Sequence, residues 1–217
     1  MEICNINDLS GLIKEKEKVY TFRKLEKKDA QNILGLMTKS FLSDNEGFKI
    51  LQATEQDLNT DQSLQLFSWM VQENLSFGAF HEDQLISACL SYDLSSNNDL
   101  HIEGPEPSQV MMEITDMIIK LLDQYANTSN LGKKEIAYLS HLATKPDHFQ
   151  QHLALSCAYL SVEECRKQGF KQLITGAGHV GTQKTISKIF KKFDKIKEIN
   201  ELKGQPTYMV SLIGQLQ

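Results

Sequence analysis

No apolar run in the 217-residue chain approaches the ~18 residues that would cross a bilayer, and the first eighteen residues carry no apolar signal core. Positive charge is not in excess either. Twenty-three Lys and Arg against twenty-eight Asp and Glu leave a formal charge of −5, which excludes a general binder of nucleic acid or anionic lipid. Cysteines are few: Cys4, Cys89, Cys157 and Cys165 stand far apart with no Cys-x-x-Cys pair, so neither a disulfide scaffold nor a zinc ribbon is encoded. Cys157 and Cys165 are expected as small, reduced core residues. His148 and His152 are four apart across a proline turn, but no further ligands accompany them and no metal is assigned. These absences lead to an expectation of a soluble, cytoplasmic protein with no nucleic-acid partner and no membrane insertion.

What is present is the pattern of one ordinary globular domain, 41% hydrophobic and 24% charged. Residues 1–18 are polar and are expected as an N-terminal extension, a tail or an added short helix; the domain itself should cover 19–217. The strand period over 19–25 gives way after Glu26 and Asp29 to a helical spacing through Ile33, Leu36, Met37 and Phe41. Thr60 or Asp61 can cap a second helix carrying Leu64, Phe67, Trp69, Met70 and Val71. Strands over 75–80 and 84–92 flank a short polar link and should pair as a hairpin. After a Gly- and Pro-punctuated loop come a helix over 109–125, a strand over 135–144 and a turn at Pro146. A helix over about 153–168 stopped by Gly169 follows, then a strand over 171–175, a helix over 182–193, and strands near Ile196 and over 207–212. The order implies a mixed sheet with helices packed on it, an α/β or α+β single domain. Between the strand at 135–144 and the helix at 153, unpaired N–H groups and the positive dipole end meet, a natural phosphate site.

The stretch Leu142-Ala-Thr-Lys-Pro-Asp-His-Phe-Gln-Gln-His-Leu-Ala154, with Gly169-Phe170 and the later Lys188-Ile-Phe190 segment in order, resembles the GNAT superfamily of N-acetyltransferases. Its layout is most similar to the arylalkylamine (dopamine or serotonin type) branch, over about 20–212. The resemblance implies a GNAT-like acyl-CoA N-acyltransferase fold, splayed between the fourth and fifth strands. It also implies acetyl transfer from acetyl-CoA to a small primary amine, and a coenzyme cradle of Leu142, Ala143, Thr144, Phe149, Gln150, Gln151, His152, Leu153 and Ala154. In that family the turn reads Arg or Gln, two variable residues, Gly, one variable residue, then Gly or Ala. Here Phe149 and His152 occupy the first two positions and only Ala154 is held. Phe41-Leu-Ser-Asp-Asn-Glu46 is similar to the segment that carries the base glutamate of the insect-type enzymes, with its glutamate at least one place later and no proline, and Glu46 is the base candidate the resemblance implies, with Asp44 second. The general-acid tyrosine of the last helix corresponds to Phe190. His141, on an unbroken strand, faces away from Tyr138 and Ser140 and is expected off the site.

Two functional readings remain open at this point. In one, the chain is an active N-acetyltransferase with a small amine substrate, Gln150 and His152 replacing the lost phosphate donor. In the other, Phe149, His152 and Phe190 mark a GNAT-fold protein without chemistry, a structural or interaction subunit for protein partners. The second reading expects Phe149 or His152 to be packed by protein. Six lysines over 182–198 (Lys184, Lys188, Lys191, Lys192, Lys195 and Lys197) form a basic run that is either phosphate-facing or a solvated helix face.

Overall fold

In a computed structural model that describes residues 6–125, 127–190 and 193–216, the polar start of the chain is a helix, α1 (Ile6–Lys16), whose Leu9 and Ile13 are buried. Residues 1–5, Cys4 among them, and Lys191 and Lys192 lie outside the described residues. The short strand β1 (Thr21–Lys24) leads to α2 (Ala30–Asp44), which buries Ile33, Leu34, Leu36 and Met37 as its spacing predicts. Two short helices that the apolar period does not announce follow, α3 (Glu46–Ile50) and α4 (Glu55–Leu58). Next is α5 (Asp61–Gln72), capped by the Thr60 hydroxyl, which accepts the Ser63 N–H at 3.1 Å.

β2 (Phe77–His81) and β3 (Gln84–Asp93) form the expected hairpin. Its two-residue link, Glu82 and Asp83, has φ 48° and 65°, the left-handed pair that matches strand twist. α6 (Gln109–Leu122), β4 (Ile136–Thr144), α7 (Leu153–Lys167), β5 (Gln172–Ala177), α8 (Val180–Ile189), β6 (Phe193–Leu202) and β7 (Gln205–Gln215) complete the chain. Strand order is β1-β2-β3-β4-β5-β7-β6, antiparallel throughout except for β4 beside β5.

One face of the sheet is covered by α1, α7 and α8, where Leu153, Cys157, Val162, Cys165 and Ile186 join Leu139 and Leu173. Cys157 and Cys165 are buried free thiols there, as expected. α2, α5 and α6 cover the other face. Among the described residues no helix is long and apolar enough to cross a membrane.

Two expectations need correction. The helix expected over 182–193 begins at Val180, behind His179 as N-cap, and ends at Ile189, because Phe190 turns inward and packs on the bare backbone of Gly214. The basic run is therefore divided: Lys184 and Lys188 are on α8, Lys195 and Lys197 on β6. β6 and β7 are longer than their apolar pattern suggests, joined by Lys203 and Gly204 at φ 49° and 73° in a two-residue turn.

Candidate active site

β4 and β5 run parallel and pair only from Ile136–Gln172 to Leu139–Thr175. At the last pair the Thr175 hydroxyl donates to the Leu139 carbonyl at 2.9 Å, closing the ladder. Beyond it the strands part, as the expected splay requires, and Ser140 to Thr144 keep backbone groups unpaired toward β5. The gap opens into a cavity of about 880 Å³ walled by α2, α3, α5, α6 and the N-terminal turns of α7 and α8.

A bulge decides which β4 side chains enter it. Leu90 of β3 pairs with His141 and the next residue, Ser91, with Leu139, so Ser140 is an extra residue on β4. The bulge reverses the alternation, and His141 joins Tyr138 on the cavity face. This corrects the expectation from an unbroken strand. The His141 ring stacks on Phe41 (centroids 5.6 Å apart) and meets Phe67 edge-on at 5.2 Å, while Nδ1 shares a 2.8 Å hydrogen bond with the Ser140 hydroxyl. Enclosure by these rings pushes its pKa down to about 4, so the imidazole is neutral at pH 7. Tyr138, buried beneath, has its phenol pKa pushed up by desolvation and keeps its proton.

The end of the cavity at which the sequence leads to an expected phosphate is built by the turn before α7. His152 stands at its N-cap with φ 60° and ψ 20° and gives no side-chain cap, so the first N–H groups of α7, from Leu153 and Ala154, have only the cavity mouth before them. His152 thus holds a left-handed backbone of the kind that glycine adopts most readily. Partial burial, with the positive charges of Lys188 and Lys16, lowers its pKa. Phe149, 46% exposed, and His152, also exposed, are not packed away by this chain. His148 also lines the cavity and shares a 2.9 Å hydrogen bond with Tyr20. Among the described residues no three His, Cys, Asp or Glu side chains gather as a metal site.

Of the cradle named from the sequence, Leu142, Ala143, Thr144, Phe149, Gln150, His152, Leu153 and Ala154 line the cavity and Gln151 does not. Glu46 is on the exposed first turn of α3 and outside the lining, whereas Asp44 and Asn45, at the end of α2, are part of it. Phe190 is in the core and outside the lining as well. Sequence reasoning did not find Thr38, a buried cavity residue whose hydroxyl has no hydrogen-bond partner among the described residues, nor Met209 of β7. Only the i, i+3 spacing of Thr38 and Phe41 on one helix face could have signalled the former.

No protein-family model matches the chain, and no curated protein matches it in sequence. Solved structures do match. Arylalkylamine N-acetyltransferase 2 from Aedes aegypti superposes with a TM-score of 0.70 at 16% identity, over 91% of this chain and 99% of that one. The C-terminal condensation domain of Ebony, solved with beta-alanyl-dopamine, gives 0.69 at 13% identity over 90% and 98%. The PaiA N-acetyltransferase from Thermoplasma acidophilum, solved with coenzyme A, gives 0.53 at 11% over 88% and 97%. The chain has the fold of the GNAT N-acetyltransferases.

Proposed function

We propose that this chain, with its GNAT fold, is an acyl-CoA-dependent N-acyltransferase that moves the acetyl group of acetyl-CoA to a small primary amine. The observation that carries the reading is the alignment, along one cavity, of an uncapped helix N-terminus, an unpaired strand edge and a carboxylate. The N–H groups of Leu153 and Ala154, with Lys188 nearby, suit the pyrophosphate. The residues fit the coenzyme because its phosphates are met by backbone donors, which Phe149 and His152 leave in place. The unpaired edge from Ser140 to Thr144 offers N–H and C=O groups to the amides of the pantetheine arm.

Asp44 is the base in this reading, being the carboxylate on the cavity wall, while Glu46 points from a neighbouring exposed turn. The substrate ammonium gives one proton to Asp44 and through it to solvent. The amine nitrogen then attacks the thioester carbonyl; the C–N bond forms, the C–S bond breaks, and the second nitrogen proton passes to the leaving thiolate. His141, neutral and ring-stacked, helps exclude water from the reacting groups. The alternative of a subunit without chemistry rests on Phe149, His152 and Phe190 and expects Phe149 or His152 to be packed by this chain or a partner; this chain leaves both exposed, which favours the enzymatic reading.

Calorimetric titration of the full chain with acetyl-CoA tests the proposal, expecting saturable binding. Asp44→Asn should keep that binding and lose at least about a hundredfold in amine acetylation, the scale of a general base. No binding at millimolar coenzyme would overturn the reading.

A further inference from the structure

We infer that Asn45 and Tyr138 form a two-donor clip for the thioester end of the coenzyme: the Asn45 amide holds the last amide carbonyl of the pantetheine arm, and the Tyr138 hydroxyl holds the thioester carbonyl. The inference rests on the acyl-CoA reading above. In that reading the phosphates are at the N-terminus of α7, and the arm follows the unpaired edge of β4 from Thr144 back to Ser140, toward the fork at Leu139 and Thr175. Across from that edge, beside the arm's path, the chain presents glycine twice.

A Cβ at Gly176 would be 3.7 Å from Leu121 Cδ1 and 3.8 Å from the Tyr138 hydroxyl, and one at Gly178 would be 3.6 Å from Met209 Cγ and 3.7 Å from Asn45 Nδ2. Leu121 and Met209 belong to one cluster, so the two glycines share a face, two residues or ~7 Å apart along the strand direction. Bare backbone thus lies next to one polar group at each place. Because β4 and β5 run parallel toward the cavity mouth, Gly178 and Asn45 are on the mouth side and Gly176 and Tyr138 next to the fork. The carbonyl carbons of the arm's last amide and of the thioester are five bonds apart, about 6.5 Å when extended, which matches this spacing.

Asn45 has only donors left to offer. Its Oδ1 is committed as the N-cap of α3, accepting the Gly47 N–H at 3.0 Å and the Phe48 N–H at 3.4 Å, which fixes the amide and turns Nδ2 away from the helix. Among the described residues no acceptor meets Nδ2. A group that can only donate suits a carbonyl oxygen and not an ammonium, so the acceptor amine stays beside Asp44 and the arm takes Asn45. Tyr138 is 5% exposed, its ring edge-on to Tyr92 with centroids 5.5 Å apart, and its hydroxyl has no hydrogen-bond partner among the described residues. Burial keeps the phenol protonated and therefore a donor.

The test is calorimetric titration of the full chain with 3′-phospho-ADP, coenzyme A and acetyl-CoA, which carry in turn the phosphates alone, the phosphates with the arm, and the thioester as well. Asn45→Ser keeps a capping oxygen for α3 and removes the amide donor; it should weaken coenzyme A and acetyl-CoA about three- to tenfold and leave 3′-phospho-ADP unchanged. Asn45→Asp, which caps equally well and turns an acceptor toward the same carbonyl, should weaken both by more than Asn45→Ser does. Tyr138→Phe keeps the ring and should weaken acetyl-CoA by a similar factor with coenzyme A unchanged. A variant that merely loosens the fold weakens all three ligands together. Unchanged acetyl-CoA affinity in Asn45→Ser or in Tyr138→Phe, or weakening of all three ligands alike, overturns the inference while leaving the acyltransferase reading in place. No binding of coenzyme A or acetyl-CoA to the unaltered chain overturns both.

Discussion

Acid should destabilise this protein through His141 in a pH window where few carboxylates titrate. The folded imidazole has its pKa at about 4, against 6.5 for an unperturbed histidine, because Phe41 and Phe67 cover the ring and Ser140 is its polar partner. Below pH 6.5 the unfolded chain takes up a proton that the folded chain refuses until about pH 4. The group's contribution is thus complete above pH 6.5 and is lost as pH falls toward 4. At ~1.36 kcal/mol per pKa unit the shift corresponds to about 3 kcal/mol, and the ring edge that meets the cavity reduces this to roughly 2 kcal/mol. The assay is urea denaturation at half-unit steps from pH 4 to 7.5, comparing the unaltered chain with His141→Phe, which keeps the ring contacts and removes the titration. Groups common to both chains cancel in the difference. The difference curve should bend near pH 6.5 and change by about 2 kcal/mol by pH 4.5; parallel curves would refute the burial argument.

Asp29, 4% exposed, accepts two hydrogen bonds from Arg23 at 2.7 and 2.8 Å and one from the Glu26 N–H. Burial alone would raise its pKa, yet these donors hold it below the usual carboxylate value, so its contribution is present above pH 3.8 and lost below; Asp29→Asn should cost about 2 kcal/mol in urea denaturation at pH 7. Gly214→Ala would drive its methyl into the buried Phe190 ring and should cost about 1–3 kcal/mol, recovered in part by adding Phe190→Leu; full stability in the single variant would contradict the packing described. His152→Gly removes a left-handed penalty of about 1 kcal/mol and adds a similar unfolded-state entropy, so stability should stay within about 0.5 kcal/mol while acetyl-CoA affinity rises. A loss of more than about 1.5 kcal/mol would mean that the imidazole itself holds the turn.

Most elements were legible because their signals are local. Thr60 precedes its helix, Gly169 follows another, and the apolar positions of α2, α6 and α7 recur at helical spacing. The missed parts depend on tertiary contact. The bulge at Ser140 has no composition of its own, being a count mismatch with β3, and it alone carries His141 to the cavity face. The end of α8 is set by Phe190 finding Gly214, twenty-four residues away, which no helical period encodes. β6 is mostly exposed on both faces and lacks the alternation by which a half-buried strand is recognised, although Lys203-Gly204 was a readable turn signal. Likewise Glu46 and Asp44 stand two residues apart in sequence, and only the chain's exit from α2 into α3 puts one on the cavity wall and the other in solvent.

The same distinction explains how the turn before α7, where the proposed reading puts the pyrophosphate, can lack the glycine signature and still hold a left-handed backbone. A glycine motif records a backbone requirement, a positive φ together with room for a ligand beside the chain. His152 meets the first part at φ 60°, held there by the helix it begins: Ser156 N–H donates to the His152 carbonyl at 3.0 Å, and Leu153 behind it is 1% exposed in the core. Strain in one residue is tolerated because the buried first turn of α7 over-determines it. The second part, room for the ligand, depends on where the imidazole swings, and an exposed side chain can turn aside. In the proposed reading, phosphate affinity then rests on the amides of Leu153 and Ala154 and on Lys188. Lys188→Glu should consequently weaken acetyl-CoA more than S-acetylpantetheine, which carries the same acyl arm without phosphates; equal weakening of both would remove Lys188 from the phosphate site.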